Sequence, residues 1–168
     1  LRQLAKMLEE NHEEFAAAVV KDLGGGPVRA TLEMGMIGET YDTIKKLDKW
    51  AADRPAPLGD PLKEVPFLDK RVIRPTPKGV VLIISAWNFN VSLSLQPLLD
   101  VIAAGNCAVI KPSELSPACS ALIETLVARY LPPEAVRVVQ GGVAETTELL
   151  ELPWDHIVYT GCTSVGKV

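Results

Sequence analysis

Three polar clusters in the second half of the sequence contain residue types that can bind or polarise a ligand. The first is S-A-W-N-F-N at residues 85–90, the second is K-P-S-E at residues 111–114, and the third is G-C-T-S-V-G-K at residues 161–167. Each cluster directly follows a short apolar run that predicts a strand. Because ligands bind beyond the carboxyl ends of parallel strands, the clusters predict a site at that edge of a sheet.

Asn88 follows the most apolar of these runs. Its side-chain amide is a donor of the kind that stabilises a developing oxyanion when a rigid pocket holds it in place. Asparagine is also common at helix N-termini, where it caps free backbone amides, and a helix is predicted from about Ser92. From the residues alone the capping role is the more ordinary interpretation, and the catalytic one stays open.

The cluster at residues 111–114 offers a donor and an acceptor from one turn. Pro112 stiffens this turn, and Ser113 adds a hydroxyl. Lys111 and Glu114 together could hold a ribose diol, and Lys111 could also hold a 2′-phosphate. The alternative is a solvated loop in which the two charges merely pair, which contributes little.

The glycine-rich turn at residues 161–167 is typical of a phosphate site. It lies between a predicted strand and a predicted helix start, where backbone amides favour an anion. The dinucleotide fingerprint G-x-G-x-x-G is absent, because Thr163 occupies the position of the second glycine. The P-loop pattern matches up to Lys167 and fails at Val168, which lacks the Mg²⁺-binding hydroxyl, so a phosphotransferase remains only a minor alternative.

The cysteines do not predict a metal site or a nucleophile. Cys162 lies at a predicted helix N-terminus, which lowers a thiol pKa. However, His156 is expected at the other end of the preceding strand, so Cys162 is interpreted as a substitute for a hydroxyl. Cys107 and Cys119 are expected to fill space, and the three cysteines lack metal spacing and fit a reducing compartment.

Composition excludes several classes of protein. The chain has 168 residues, 48% hydrophobic and 23% charged, with a formal net charge of −4, and no basic run that would bind nucleic acid. The longest apolar run, residues 80–84, is far too short to span a bilayer. The sequence opens at Leu1 within a helical pattern and stops just after a turn that should begin a helix. We therefore expect a segment of a longer protein.

The hydrophobic periodicity predicts helices first and then alternating strands and helices. Such alternation indicates an α/β fold, in which N-terminal helices precede a Rossmann-like parallel sheet with helices on both faces. We expect an N-terminal helical region at 1–56, a connector at 57–78, and an incomplete α/β domain at 79–168. The predicted helices are 1–23, about 37–51, 92–104, 116–130 and 143–151, and the predicted strands are 67–74, 80–84, 107–111, 136–139 and 156–160.

Taken together, these segments resemble the aldehyde dehydrogenase superfamily, and its class 3-like branch in particular, over essentially the whole chain. The ordered set of motifs is specific, although any one of them could mislead. The motifs are W-A-A-D at residues 50–53, K-G-V-V-L-I-I at 78–84 with W-N-F at 87–89, A-A-G-N-C-A-V-I-K-P-S-E at 103–114, G-G-V-A-E-T-T-E-L-L at 141–150 and D-H-I-V-Y-T-G at 155–161.

The resemblance implies that the connector at 57–78 contains oligomerisation-type strands and that 79–168 is an incomplete NAD(P)-binding domain. It also implies a role for each matching residue. Asn88 would stabilise the oxyanion, and Trp87 would line the substrate tunnel. The turn at 161–166 would take the pyrophosphate of NAD or NADP. The cofactor-binding residues implied are Lys111, Ser113 and Glu114 at the adenosine ribose, Gly142 at a close approach, Gly161, Cys162 and Gly166 at the pyrophosphate, and Val165 near the adenine.

The resemblance also implies a reaction. In the family a cysteine thiolate attacks an aldehyde, hydride passes to the nicotinamide, and a glutamate activates the water that releases the carboxylic acid. Both residues lie downstream of the glycine-rich turn in the family, so this chain alone is not expected to catalyse the reaction. A homodimer and a cytoplasmic location are implied, with membrane association only through a C-terminal anchor beyond the last residue.

Several positions depart from the family pattern. Asn90 stands where the family usually has proline, so the loop that carries Asn88 is expected to be less rigid. Cys162 replaces a serine, which weakens one hydrogen bond to phosphate. Gly26 and Arg29 replace the usual lysine and acidic residue, which is interpreted as a difference confined to the protein surface. A non-catalytic nucleotide-binding or scaffold protein remains an alternative, and so do both NAD and NADP.

Overall fold

A helical region precedes a sheet whose strands alternate with helices. The computed structural model describes residues 1–57 and 71–167. In chain order its elements are α1 (Arg2–Glu10), α2 (His12–Leu23), α3 (Pro27–Glu33), α4 (Met36–Ala51), β1 (Arg54–Pro55), β2 (Val72–Ile73), β3 (Val80–Ile84), α5 (Asn90–Ala103), β4 (Cys107–Lys111), α6 (Pro117–Tyr130), β5 (Val136–Val138), α7 (Val143–Leu150), β6 (His156–Tyr159) and a 3₁₀ turn (Val165–Lys167).

Four strands form a parallel sheet in the order β5-β4-β3-β6. The chain first moves outward from β3 through β4 to β5, and then returns to add β6 on the other side of β3. Ile84 at the carboxyl end of β3 pairs with Lys111 of β4 and with Tyr159 of β6. The strand order therefore reverses beside β3, and a reversal of this kind opens a crevice for ligands.

The two faces of the sheet contact different helices. Val81 and Ile83 belong to the main core, which is formed with α5, α6 and the N-terminal helices. Leu82 and Ile84 point to the opposite face, where they pack with Leu149 of α7. Side chains alternate between the faces of a strand, so an unbroken apolar run supplies both cores. The predicted α/β sheet with helices on both faces is confirmed.

The first of the predicted N-terminal helices is interrupted in the structure. The single helix predicted over residues 1–23 is two helices, because the chain breaks at Asn11, whose φ of −121° and ψ of 18° are not helical. The Asn11 side chain donates to the Met7 carbonyl at 2.8 Å and to the Tyr130 hydroxyl at 3.1 Å. The bend lets apolar residues of both helices, among them Leu8 and Phe15, enter one core.

The second predicted helix, about 37–51, corresponds to α4, whereas α3 is a helix that the sequence analysis does not predict. The predicted exposed strand at 67–74 is described only from residue 71, and β2 within it pairs antiparallel with β1. Arg74 and Asp53 join the ends of this two-stranded ladder, with N–O distances of 2.6 and 2.8 Å. The rest of the predicted connector, residues 58–70, lies outside the described part of the chain.

Two carboxylates from the N-terminal helices cap helices that cover the sheet. Asp22 of α2 accepts the amides of Ala118 and Cys119, at 3.0 and 2.7 Å, in the first turn of α6. Glu33 of α3 is fully buried and accepts amides in the first turn of α5. Because the first amides of a helix have no partner within it, each carboxylate satisfies donors that would otherwise be buried unpaired.

Replacing Asp22 with alanine should lower the free energy of unfolding by about 1–2 kcal/mol, since two helix amides lose their acceptor. Urea denaturation followed by circular dichroism measures this. The matched control is Asp42→Ala, which removes an exposed carboxylate that pairs with Lys45 and Lys46, and it should cost less than about 0.5 kcal/mol. Equal losses in the two variants would show that capping by Asp22 contributes no more to the free energy of unfolding than an exposed ion pair.

Glu33 should make stability depend on pH. Burial raises the pKa of Glu33 above its ordinary value of 4.5, although the amides of Ser92 and Val91 and the charge of Arg29 oppose the shift. The folded state therefore holds the proton more tightly than the unfolded state. The stability that this group contributes is complete below pH 4.5 and decreases as the pH rises through the raised folded pKa.

Glu33→Gln keeps an oxygen acceptor but cannot ionise, so it should abolish this part of the pH dependence. Urea midpoints of both proteins, measured in half-unit steps from about pH 4 to about pH 8, test the expectation. Relative to the glutamine variant, the wild type should become less stable as the pH rises. Parallel curves across the range would contradict the assigned pKa direction.

Candidate functional site

The three polar clusters meet at one edge of the sheet. Residues 85–90 follow β3, residues 111–114 end and follow β4, and residues 161–167 follow β6. β3 lies between the other two strands, and Ile84 is in register with Lys111 and Tyr159. The clusters therefore start at the same level, around the point where the strand order reverses. The convergence that the sequence predicted is present.

Lys111 is a buried cation at the centre of the second cluster. Only 4% of it is exposed, and its Nζ donates to Glu114 Oε2 and to the Gly141 carbonyl, both at 3.1 Å. The side chain of Glu114 is 46% exposed. The pKa of Glu114 is lowered, first by its own backbone amide and then by Lys111. The carboxylate of Glu114 is thus a charged acceptor that faces solvent and is held by the buried Lys111. In the alternative interpretation both charges would be solvated.

Ser113 holds the turn between these two residues. It is buried, and its hydroxyl accepts the Leu115 amide at 3.3 Å. Its carbonyl accepts the Ser120 hydroxyl at 2.8 Å. The hydroxyl and the carbonyl of Ser113 both accept hydrogen bonds from within the protein, and these bonds hold the turn that presents Lys111 and Glu114.

Gly142 lies beside this turn at the start of α7. A Cβ atom built on it would approach Glu145 and Glu114 only to 3.9 and 4.0 Å, which is ordinary contact. Packing within the chain therefore does not require glycine at 142, whereas a Cβ on Gly141 would lie 2.4 Å from that of Glu145. The Gly142 amide donates to Glu145 Oε2 at 2.7 Å, which closes the first turn of α7. A side chain at residue 142 would thus be in contact with Glu114 without displacing it.

The glycine-rich turn wraps around the ring of Tyr159. A Cβ on Gly161 would lie 2.2 Å from the Tyr159 hydroxyl oxygen, and one on Gly166 would lie 2.9 Å from a ring carbon. Both positions therefore require glycine for the turn to close over the ring. The Tyr159 hydroxyl donates to the Cys162 carbonyl at 3.2 Å. Val165 is 58% exposed and begins a single 3₁₀ turn where the sequence predicted a helix start.

Cys162 contacts a neighbouring hydroxyl within the glycine-rich turn. Its Sγ lies 3.2 Å from the Ser164 hydroxyl, and the side chain is exposed. Hydrogen bonds from Ser164 and from the Val165 amide lower the pKa of the Cys162 thiol. His156 lies at the far end of β6, where its Nδ1 is 3.4 Å from Lys78 Nζ. The two residues are apart, as the sequence indicated.

Asn88 is not the cap of α5, so the capping interpretation of its side chain is wrong. The cap residue is Phe89, and the amides of Val91 and Ser92 donate instead to Glu33 Oε2, at 2.9 and 3.2 Å. Sequence reasoning missed Glu33 because its partners lie nearly sixty residues away in the chain and no local pattern links them. Within the described residues, the side-chain amide of Asn88 makes no hydrogen bond.

The loop around Asn88 is tied down by other side chains. Trp87, 49% exposed, has its carbonyl held by the Ser116 hydroxyl at 3.1 Å. Asn90 is fully buried, and its amide nitrogen donates to Ser120 Oγ at 3.2 Å. Asn90 Nδ2 also lies 3.4 Å from the Ser116 carbonyl. Hydrogen bonds therefore restrain the loop where a proline ring would do so, so the expected loss of rigidity is not what the contacts indicate.

Arg29 also reaches this loop, which corrects the expectation that it is only a surface residue. It is half-buried on α3, and its Nη2 donates to the Asn88 carbonyl at 2.6 Å. Its guanidinium lies 5.4 Å from the centre of the Phe89 ring. No sequence pattern relates these positions, because the contact depends on how α3 packs against the end of β3.

Neither a metal site nor a membrane span is found in residues 1–57 and 71–167. No group of histidine, cysteine, aspartate and glutamate side chains there could hold a metal ion. No helix in that part of the chain is both long and apolar enough to cross a bilayer.

Two solved structures are similar to this chain in fold. An AldH of Staphylococcus aureus in a substrate-bound state superimposes with a TM-score of 0.88 and 33% identity, over 99% of this chain and 36% of that one. An NAD-dependent benzaldehyde dehydrogenase from Corynebacterium glutamicum superimposes with a TM-score of 0.76 and 27% identity, over 98% of this chain and 35% of that one.

Sequence comparison gives the same result. A dimeric NADP-preferring aldehyde dehydrogenase of Canis lupus familiaris is 41% identical over all of this chain and 37% of its own length. Aldehyde dehydrogenase family 3 member H1 of Arabidopsis thaliana is 43% identical over 99% of this chain and 34% of its own length. The chain thus spans about a third of these relatives. The aldehyde dehydrogenase family model matches residues 1–168, and the chain belongs to that family.

Proposed function

We propose that this chain provides the NAD(P) site and the oxyanion donor of an enzyme that oxidises an aldehyde to a carboxylic acid. The observation that carries the proposal is the convergence of Asn88, the Lys111–Glu114 pair and the turn at 161–166 around the reversal of strand order. Family membership supplies the reaction class. The nucleophilic cysteine and the water-activating glutamate are expected from residues outside 1–168.

The chemistry of the second cluster fits a dinucleotide. Lys111 and Glu114 offer a donor and a charged acceptor to the adenosine ribose, and Ser113 shapes the turn between them. Gly142 leaves the space for close approach. The turn residues Gly161, Cys162 and Gly166 would face the pyrophosphate, with Val165 beside the adenine. When bound, the nicotinamide ring accepts hydride from the substrate.

Asn88 is suited to the oxyanion role because its amide is free. Within the described residues it donates to no protein group, and its side chain is exposed at the carboxyl end of β3. Trp87 beside it is half exposed and offers an aromatic wall to a substrate. A donor held still at this place would stabilise negative charge on a substrate oxygen more than in the ground state.

The cofactor preference and the assembly follow the relatives only coarsely. One relative is named dimeric and NADP-preferring, and one solved neighbour is named NAD-dependent. We propose a nicotinamide cofactor, either NAD or NADP, an aldehyde substrate and a homodimer. No basic surface in the sequence suggests a nucleic-acid partner.

Lys111→Ala should weaken NAD binding to the chain about tenfold or more, because a buried charged donor is lost and Glu114 loses its partner. Isothermal titration calorimetry with NAD and with NADP measures the change. The matched control is Lys78→Ala at the opposite end of the sheet, which should leave both affinities unaltered. Unchanged affinity in a folded Lys111→Ala protein would refute the assigned cofactor site.

Asn88→Ala should lower kcat by about 10²- to 10³-fold, the usual cost of losing one oxyanion donor. The measurement needs a polypeptide that joins residues 1–168 to the cysteine and glutamate that the family uses. NAD affinity should be retained, since Asn88 contacts none of the cofactor residues. A normal kcat in this variant would exclude the oxyanion role.

A further inference from the structure

The peptide that carries Asn88 is held by one side chain from another part of the chain. The Asn88 carbonyl accepts the Arg29 guanidinium at 2.6 Å. Within the described residues this is the only hydrogen bond to the Asn88 backbone. Its neighbours are anchored separately, at the Trp87 carbonyl by Ser116 and at the Phe89 carbonyl by Leu93. The orientation of Asn88 between these anchors therefore depends on Arg29.

Arg29 makes a second contact that restricts its own position. Its guanidinium lies over the Phe89 ring, 5.4 Å from the centroid, where the face of the ring attracts a cation. The planar guanidinium can hold the ring and the carbonyl together, because its donors lie in a fixed fork. Two adjacent residues of the loop are therefore fixed by one side chain.

The helix that carries Arg29 is itself fixed to the same loop. Glu33 lies one turn further along α3, and its carboxylate accepts the amides of Val91 and Ser92. Side chains four residues apart lie on one face of a helix. One face of α3 therefore forms hydrogen bonds to the chain on both sides of Phe89, with the carbonyl of residue 88 and with the amides of residues 91 and 92.

We propose that Arg29 is a positioning residue that sets the direction of the Asn88 side chain. The proposal rests on the proposed function of Asn88. A rotation of the peptide at residue 88 would turn the side-chain amide away from the oxygen that it must meet. Since an oxyanion donor works only at about 2.7–3.1 Å from that oxygen, a small rotation suffices to lose the effect. Arg29 acts through Asn88 and need not contact the substrate.

Nuclear magnetic resonance on the chain itself tests the positioning. Labelling with ¹⁵N-asparagine reports on Asn11, Asn88, Asn90 and Asn106, which are the asparagines of the sequence. Arg29→Met keeps an apolar stem but removes the donor. It should lower the backbone order parameter of Asn88 from about 0.85 to below about 0.6 and leave the signals of Asn11 and Asn106 in place.

Two further variants separate positioning from general destabilisation. Arg29→Lys keeps a cation near Phe89 and should restore part of the order at Asn88. Arg74→Gln removes an exposed ion pair with Asp53 on the two-stranded ladder and should leave Asn88 unchanged. Unaltered order at Asn88 in Arg29→Met, or equal changes at all four asparagines, would overturn the proposal.

A measurement on the wild type covers the case in which Arg29→Met does not fold. Labelling with ¹⁵N-arginine should show slow rotation of the Arg29 guanidinium, because a hydrogen bond and a ring restrain it. Rotation as fast as that of an exposed arginine would overturn the proposal without any variant.

Kinetics in the longer polypeptide described for Asn88→Ala then separate the two proposals. Arg29→Met should lower kcat about tenfold, since a small misplacement of a catalytic group can cost 10²-fold, and should leave NAD affinity intact. In the Asn88→Ala background it should have no further effect. A normal kcat in Asn88→Ala alone refutes the oxyanion role. The positioning role alone fails if Asn88→Ala lowers kcat but Arg29→Met does not. It also fails if Arg29→Met lowers kcat by the same factor in the wild type and in the Asn88→Ala background.

Discussion

Backbone amides at the starts of two buried helices are the constraint on which this structure depends. Each α-helix begins with amides that have no partner inside it, and burial without one is costly. For α5 and α6 the acceptors are the carboxylates of Glu33 and Asp22. Both come from the N-terminal helices, so that region completes the α/β unit. Each distant carboxylate therefore stabilises the position of the helix that it caps.

The reversal of strand order then decides where chemistry is possible. β3 has neighbours on both sides, so the segments that follow β3, β4 and β6 all begin at the same end of the sheet. Lys111 illustrates the consequence, since it is a buried cation at the end of a strand. A buried charge is tolerated only when it is paired and hydrogen-bonded. Glu114 and the Gly141 carbonyl meet that requirement, and in doing so they bring the 111–114 turn against the glycines before α7.

The strands and the converging clusters could be predicted because local patterns specify them. β3 and β4 have the predicted bounds, since an apolar run between turn residues has few alternatives. The two-helix break at Asn11 and the true cap of α5 could not be predicted. Each depends on a partner far along the chain, Tyr130 for Asn11 and Val91 for Glu33. Asparagine at a loop end suggested local capping, and the packing of α3 supplied a stronger acceptor instead.

Two departures from the expected family pattern, Asn90 and Arg29, act on the loop at residues 85–90. Asn90 lacks the ring of the expected proline, but its buried amide joins the loop at residues 85–90 to α6, and its oxygen lies 3.5 Å from the Ser113 amide in the turn at residues 111–114. Arg29 stands where an acidic side chain is usual, and it holds the next peptide from the opposite side. An acid at 29 would face the Asn88 carbonyl and the Glu33 carboxylate with no proton to donate. The loop is thus restrained by hydrogen bonds from two sides, from α3 through Arg29 and from α6 through Asn90.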